Sequence, residues 1–222
     1  MLSIEQSLVE RLPWLARYPA IRRPVSGMLG RLADEDGFNR VLSRVGTAEG
    51  FDFVERVLDV LGTSCQLNLR EREHIPLEGP LLVVANHPLG MQDALALLQL
   101  IGSVRPDVRI LGNDWLATVP QLGRLLLPVD VFGKGAASQL RGIYRALDDG
   151  QALIIFPAGE VSRMRPDGVR DGRWSDGFAR LALRRNVPVL PVHVAARNST
   201  MFYGMSMLAK PLSTAMLPRE AV

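Results

Sequence analysis

From Leu81 onward the chain alternates short apolar runs with amphipathic stretches, and this alternation constrains the fold more than any other feature. The runs at 81–85, 108–111, 126–131, 151–156 and 189–194 have the length of strands, while 91–103, 114–123, 136–149 and 175–186 repeat apolar residues at helical spacing. In 136–149, Leu140, Ile143, Tyr144 and Leu147 share one face and Gly150 supplies a C-terminal stop. Strands that are apolar throughout need cover on both faces, which crossover helices joining parallel strands provide. The expectation is an α/β fold, a mostly parallel, mixed sheet with helices on both faces.

This α/β domain is expected to span 75–222, preceded at 1–74 by a helical segment that packs on it. Phe51, Val54, Val57, Leu58 and Leu61 form an apolar stripe within 49–61, opposite Asp52, Glu55, Arg56 and Asp59. Further upstream, Arg11, Arg17, Arg22, Arg23 and Arg31 are interleaved with Trp14, Tyr18, Ile21, Val25, Leu29 and Leu32. Two readings of that segment stand: an interfacial helix meeting anionic lipid, and an ordinary helical layer over the core. Pro19 and Pro24 predict short broken helices in place of one continuous helix.

Composition narrows the function. With 222 residues, 47% of them apolar, the chain can bury one sizeable core. A net charge of +3, from 26 basic and 23 acidic side chains, is a mild excess. It comes without a finger, helix-turn-helix or RNP pattern, so no nucleic-acid partner is expected, and it suits anionic lipid or phosphorylated small molecules. Cys65, the single cysteine, excludes an intramolecular disulfide, fits a reducing compartment and reads as a packing residue. The opening MLSIEQSLVERLPW lacks the basic start and apolar core of a signal peptide. Gln99, Gly102 and Arg105 interrupt the longest apolar candidate before it reaches the roughly 18 residues of a membrane span, so membrane contact is expected to be peripheral.

One stretch carries a site-like signature, "LLVVANHPLGMQD" at 81–93. An imidazole can take a proton near neutral pH, and a carboxylate beside it can fix its tautomer. Six residues apart on one helix, His87 and Asp93 would be some 240° apart, at about 100° per step. Pro88 and Gly90 instead place His87 on a loop and start the helix near Met91, with Asp93 in its first turn. There Asp93 either reaches back to His87 or simply favours the helix N-terminus. A second cluster, "LIIFPAGEVSR", runs an apolar strand into Gly159, Glu160, Ser162 and Arg163. A long loop follows, with Arg165, Arg170 and Arg173, which either clamps an anion or is a solvated loop with Asp167 and Asp171 interleaved. His74 reads as a surface residue and His193 as buried on a strand, and no histidine has metal-ligand spacing, so no metal is expected. A nucleophile elbow and a phosphate-binding glycine loop are both absent from the sequence.

Together, "VVANHPLGMQD", "IIFPAGEVSR" and the following "VPVLPVHV" resemble the glycerolipid acyltransferase family of 1-acylglycerol-3-phosphate O-acyltransferases. The resemblance covers about 75–197 and extends to "LPRE" at 217–220. The five residues between His87 and Asp93, against four in the commoner pattern, place the chain with a bacterial NHPxGxxD subgroup that includes proteins labelled putative haemolysins. Against the familiar FPEGTRS, Phe156, Pro157, Gly159 and Ser162 match, and Ala158 replaces its Glu, with Glu160 one position later.

The resemblance implies a lysolipid O-acyltransferase with no cofactor, whose acyl-CoA or acyl carrier protein enters as co-substrate. It assigns His87 and Asp93 to catalysis and Asn86, Gly159, Glu160, Ser162 and Arg163 to substrate binding, with backbone amides near Gly159 facing the oxyanion. The second family block usually ends in an arginine for the acceptor's phosphate, but here "LGRLLLPVDVFGK" offers Asp130 or Val131, with Lys134 beyond as the candidate binding residue. That departure points away from lysophosphatidic acid and towards another head group, such as an amino-acid-containing lipid. Relatives of this kind commonly continue with another strand, so a truncated C-terminus is one expectation for this domain. The expected location is cytoplasmic, on the inner face of the cell membrane. Two alternatives remain on the same fold: a non-catalytic lipid binder of the membrane surface, and a thioesterase or lysolipid hydrolase.

Overall fold

The computed structural model describes Glu5, Val9 and residues 13–112, 116, 119–129 and 136–221. Strands β1 (Leu81–Ala85), β2 (Val108–Gly112), β3 (Leu126–Pro128) and β4 (Ala152–Ile155) form the main sheet with the last strand of the chain. Between them a separate antiparallel ribbon of β5 (Arg163–Arg165) and β6 (Gly168–Arg170) intervenes, and the last strand is β7 (Val189–Val192). The sheet order is β3-β2-β4-β1-β7 and each neighbouring pair is parallel. β1 lies between β4 and β7, with Leu82 opposite Leu153 on one side and Val189 on the other, and all five of its residues are buried.

Helices α1 (Pro19–Ala33), α2 (Glu35–Val45), α3 (Gly50–Val60) and the single turn α4 (Leu69–Arg72) precede the sheet. They are followed by α5 (Met91–Gly102), α6 (Ala136–Asp148), α7 (Gly177–Arg185), α8 (Thr200–Leu208), α9 (Lys210–Ala215) and α10 (Leu217–Ala221). Because strand side chains alternate, β1 serves two cores at once. Leu81, Val83 and Ala85 join Val45, Phe53, Val57, Leu98 and Ile101 from α2, α3 and α5. Leu82 and Val84 pack instead with Ile143, Leu147 and Ala182 from α6 and α7. The α/β fold with both faces covered is therefore present, and helices α2 and α3 share the core of the sheet.

Several local expectations change. Pro24 sits inside a continuous α1 and Pro19 lies in its first turn, so the chain breaks only at Tyr18. The Ala20 carbonyl, which loses its partner to Pro24, is on an exposed residue where water can take it. The stretch expected as helix at 114–123 gives a 3₁₀ turn at Pro120–Leu125, interrupted at Gly123. Most of 113–118 lies outside the described residues, as do Asp130, Val131 and Lys134. His193 is exposed just past the end of β7, not buried on a strand, and Cys65 is exposed in the connection after α3, not packed. Both stand in segments that leave their element before reaching the core. His74 is exposed as expected.

The N-terminal edge of the sheet is fastened by one residue. Arg105, only 1% exposed, donates from Nε and Nη2 to the two carboxylate oxygens of Asp107 at 2.7 and 2.6 Å. It also donates to the carbonyls of Pro76, Gly79 and Gly150, at 3.2, 2.8 and 2.8 Å. These carbonyls belong to the entries into β1 and β4, so a single buried guanidinium ties together the approaches to three adjacent strands. That bond holds the Asp107 carboxyl below the ordinary carboxylate range.

Candidate active site

The chemistry-bearing residues gather at the opposite, C-terminal edge, where open α/β sheets bind ligands. β1 ends at Ala85 and delivers Asn86 and His87 into the loop that Pro88 to Gly90 turns. Gly90 adopts φ +87, which an L side chain resists, and α5 starts at Met91 with Asp93 at its third position. Oδ2 of Asp93 accepts the backbone N–H of Leu89 at 2.7 Å and of Gly90 at 3.1 Å. The same oxygen stands 3.2 Å from Nδ1 of His87, with the Asp93 side chain fully buried and 17% of the His87 side chain exposed. Thus the helix-capping and imidazole-facing roles of Asp93 coexist. The oxygen lies off the Nδ1–H direction, so the pair is a close polar contact and not an aligned hydrogen bond.

The imidazole stacks on Phe156 from the end of β4, ring centroids 3.9 Å apart and planes 21° from parallel. Its backbone is held from both sides by the feet of the β5–β6 ribbon. Ser162, just before β5, donates its N–H to the His87 carbonyl at 2.8 Å, and Asp171, just after β6, accepts the His87 N–H at 3.2 Å. Asp171 also accepts the Ser162 hydroxyl and, at 2.9 Å, the indole N–H of Trp174. The ribbon, read from sequence as a long arginine loop, is the clamp that sets the position of His87. Its signal was the Pro166-Asp167-Gly168 turn between two short arms. From the sequence Asp171 is one interleaved charge, because Ser162 and His87 lie nine and 84 residues away.

The other candidates turn elsewhere. Both ends of the Asn86 amide bond the Val194 backbone, donating at 2.9 Å and accepting at 2.7 Å, so Asn86 extends the seam between β1 and β7. Glu160 pairs with Lys210 at 2.6 Å. Arg163 is buried, donates to the hydroxyls of Ser213 and Thr214, and lies over the Phe202 ring at 5.2 Å. Burial pushes its guanidinium down from its ordinary range, and the Glu160 charge opposes that. The Gly159 N–H bonds the Phe156 carbonyl at 3.0 Å, so this amide does not face an oxyanion, while the space beside its Cα is open.

A C-terminal collar, absent from the expected elements, supports the loop: Asn198 donates to the Pro88 carbonyl at 2.9 Å, and Glu220 accepts from the Ser199 N–H and hydroxyl at 2.7 and 2.8 Å. Beneath α5 an apolar pocket of about 20 Å³, lined among others by Phe38, Val57, Met91 and Leu95, has room for about one water molecule. Among the described residues no group of histidines, cysteines and carboxylates could hold a metal ion. No helix among them is long and apolar enough to cross a membrane.

A histidine facing a buried carboxylate at the exit of a parallel strand is a proton-transfer arrangement, and comparison with known proteins assigns the chemistry. A family described as acyltransferase matches residues 6–217. The chain belongs to this acyltransferase family. It is 29% identical over 213 residues to the lyso-glycine lipid O-acyltransferase of Bacteroides thetaiotaomicron, covering 96% of this chain and 77% of that protein. It is 31% identical over 201 residues to the protein of the same name from Phocaeicola vulgatus, covering 88% of this chain and 70% of that one. No solved structure matches. The matched span contains the His87 loop, the β5–β6 ribbon and the collar as far as Leu217, short of Glu220.

Proposed function

We propose that this acyltransferase moves a fatty acyl group from a thioester, acyl-CoA or acyl carrier protein, to the hydroxyl of a lysolipid at the membrane surface. His87 is the general base and Asp93 its orienting partner. The single observation that carries this is the 3.2 Å approach of Nδ1 to a buried carboxylate, which leaves Nε2 as the nitrogen turned away from Asp93. The negative charge beside Nδ1 favours the tautomer that carries its proton there, so the Nε2 lone pair is available to the acceptor hydroxyl.

In the reaction, Nε2 takes the hydroxyl proton as the oxygen bonds the acyl carbon. The carbon–sulfur bond then breaks, and the departing thiolate takes the proton back from the imidazolium. No covalent acyl-enzyme is needed. Stacking on Phe156 and the two backbone bonds of His87 restrict the ring without using either nitrogen.

An amino-acid-containing lysolipid is the acceptor favoured here, because both relatives are named for a lyso-glycine lipid and the phosphate-binding arginine of the second block is absent from the sequence. The place of action is the inner face of the cell membrane. The test is a thiol-release assay with acyl-CoA and a panel of lysolipids, with the ester product identified by mass spectrometry. Acceptor-dependent thiol release that disappears in His87→Ala supports the reading. Free fatty acid formed equally fast without acceptor would make the protein a thioesterase. Lipid binding without thioester consumption would make it a binder.

A further inference from the structure

Helix α8 is out of character for a water-soluble surface. Its sequence, TMFYGMSML, holds no charged residue. Phe202 and Tyr203 point into the protein, whereas Met201, Gly204, Met207 and Leu208 are exposed, the last two at 71% and 85%, and Met205 is half-buried beside them. At about 100° per residue these five positions fall within an arc of about 160°, so the outward side of α8 is methionine, leucine and glycine, with the exposed Thr200 in its first turn as the one polar side chain on that arc.

A second feature stands nearby. An open cleft of about 560 Å³ between α1 and α10 is lined by Arg23, Arg31 and Arg219, with Met28 at its side. All three arginines are exposed, and none forms an ion pair among the described residues. Glu220, next to Arg219, is turned to Ser199. Helix α9 packs against both α1 and α8 and so joins the two features.

We propose that α8 and the arginine cleft form one docking face for an anionic bilayer. Met201, Met207 and Leu208 enter the acyl region, and Arg23, Arg31 and Arg219 take the phosphate of an anionic phospholipid. Guanidiniums with no ion pair among the described residues, beside an uncharged apolar helix, match the two layers of such a surface, charge outside and hydrocarbon within. A second copy of the chain fits less well, because pairing the apolar α8 faces of two copies gives the exposed arginines no anionic partner. The face also adjoins the site: α8 follows Asn198, whose side chain holds the Pro88 carbonyl next to His87. Docking here places the His87 loop at the level where a lysolipid hydroxyl emerges. This inference rests on the lipid-acceptor reading above and assigns it a surface.

The experiment is vesicle co-sedimentation of the full chain on phosphatidylcholine with and without phosphatidylglycerol. Alongside it, transfer is measured with detergent-dispersed lysolipid. Wild type is expected to prefer phosphatidylglycerol vesicles and to release in high salt. Replacing the three arginines (R23Q, R31Q and R219Q together) should weaken binding to phosphatidylglycerol vesicles on the order of 100-fold. Met207→Gln with Leu208→Gln should weaken binding to both compositions by about tenfold. Both variants keep transfer in detergent. Equal binding to the two compositions overturns the proposal, as does unchanged vesicle binding in either variant. A shift in oligomeric state of the α8 variant with vesicle binding intact overturns it in favour of a second copy. If the docking results hold and no chain transfers acyl groups, the docking face stands and the acyl-transfer reading falls.

Discussion

Two buried polar clusters at opposite edges of one parallel sheet differ in how completely they are satisfied, although Gln151 Oε1 at the N-terminal edge also lacks a partner. At the N-terminal edge Arg105 is almost wholly buried, and each of its nitrogens has an acceptor. At the C-terminal edge His87 Nδ1, Asp93 Oδ1 and Asn198 Oδ1 are buried without a hydrogen-bond partner. An unmatched buried group costs about 1–3 kcal/mol, so a corner serving only to hold strands together does not retain several. The complete knot holds strands together, and the incomplete one coincides with the proposed active site.

Substitutions on the two edges break or sharpen that contrast. His87→Ala is expected to lower acyl transfer by about 10²–10⁴ while the urea midpoint stays near wild type. A chain that unfolds on losing His87 would show that both edges are structural. Arg105→Met should do the reverse. It strands Asp107 and three loop carbonyls, so stability in urea falls by about 3 kcal/mol, while turnover per folded molecule is kept.

How far each edge could be read from sequence follows from the range of its interactions. The strands of the main sheet announced themselves because each is a local apolar run, and the His87–Asp93 pair was legible because six residues and one turn hold it. The ribbon was missed, since three-residue arms carry no usable period. Helix α8 was missed because it has no polar face to alternate with its apolar one. Glu160 and Arg163 sit where the family pattern put them, but their side chains are claimed by Lys210, Ser213 and Thr214, some 50 residues on. In the sequence Arg105 is only an interruption of an apolar run, because the carbonyls it gathers lie 26 to 45 residues away.

Asp171 tests whether the incomplete edge depends on its clamp. It touches no reacting atom, so it is a positioning residue. Asp171→Ala releases the His87 N–H, the Ser162 hydroxyl and the Trp174 indole together, and kcat is expected to fall by about 10²-fold with KM little changed. Asp171→Asn keeps an oxygen for the His87 N–H and should recover part of that loss. Equal losses in both variants would assign the effect to charge and not to position. Gly90→Ala asks the same of the turn. It puts a Cβ at φ +87 and 3.3 Å from Val161 Cγ1, and should lower stability by about 1–2 kcal/mol, with a smaller fall in activity.

The smallest expected effect separates the edges by pH. Asp107 has its carboxyl held below the ordinary carboxylate value, first by the hydrogen bond from Arg105. A depressed folded value means that the unfolded chain binds the proton more readily, so the contribution to stability is complete above the ordinary carboxylate range. It is lost as pH falls through the lowered folded value, where the Arg105 pair is protonated apart. Since 38% of the Asp107 side chain is exposed, solvent screens the pair and the contribution is at most about 1 kcal/mol. Asp107→Asn should flatten this part of the acid limb in urea melts recorded from neutral to acid pH. It should leave the pH dependence of acyl transfer unchanged, because that profile belongs to the groups of the other edge. An acid limb identical in Asp107→Asn and wild type would remove the carboxylate from the knot and leave Arg105 held by carbonyls alone.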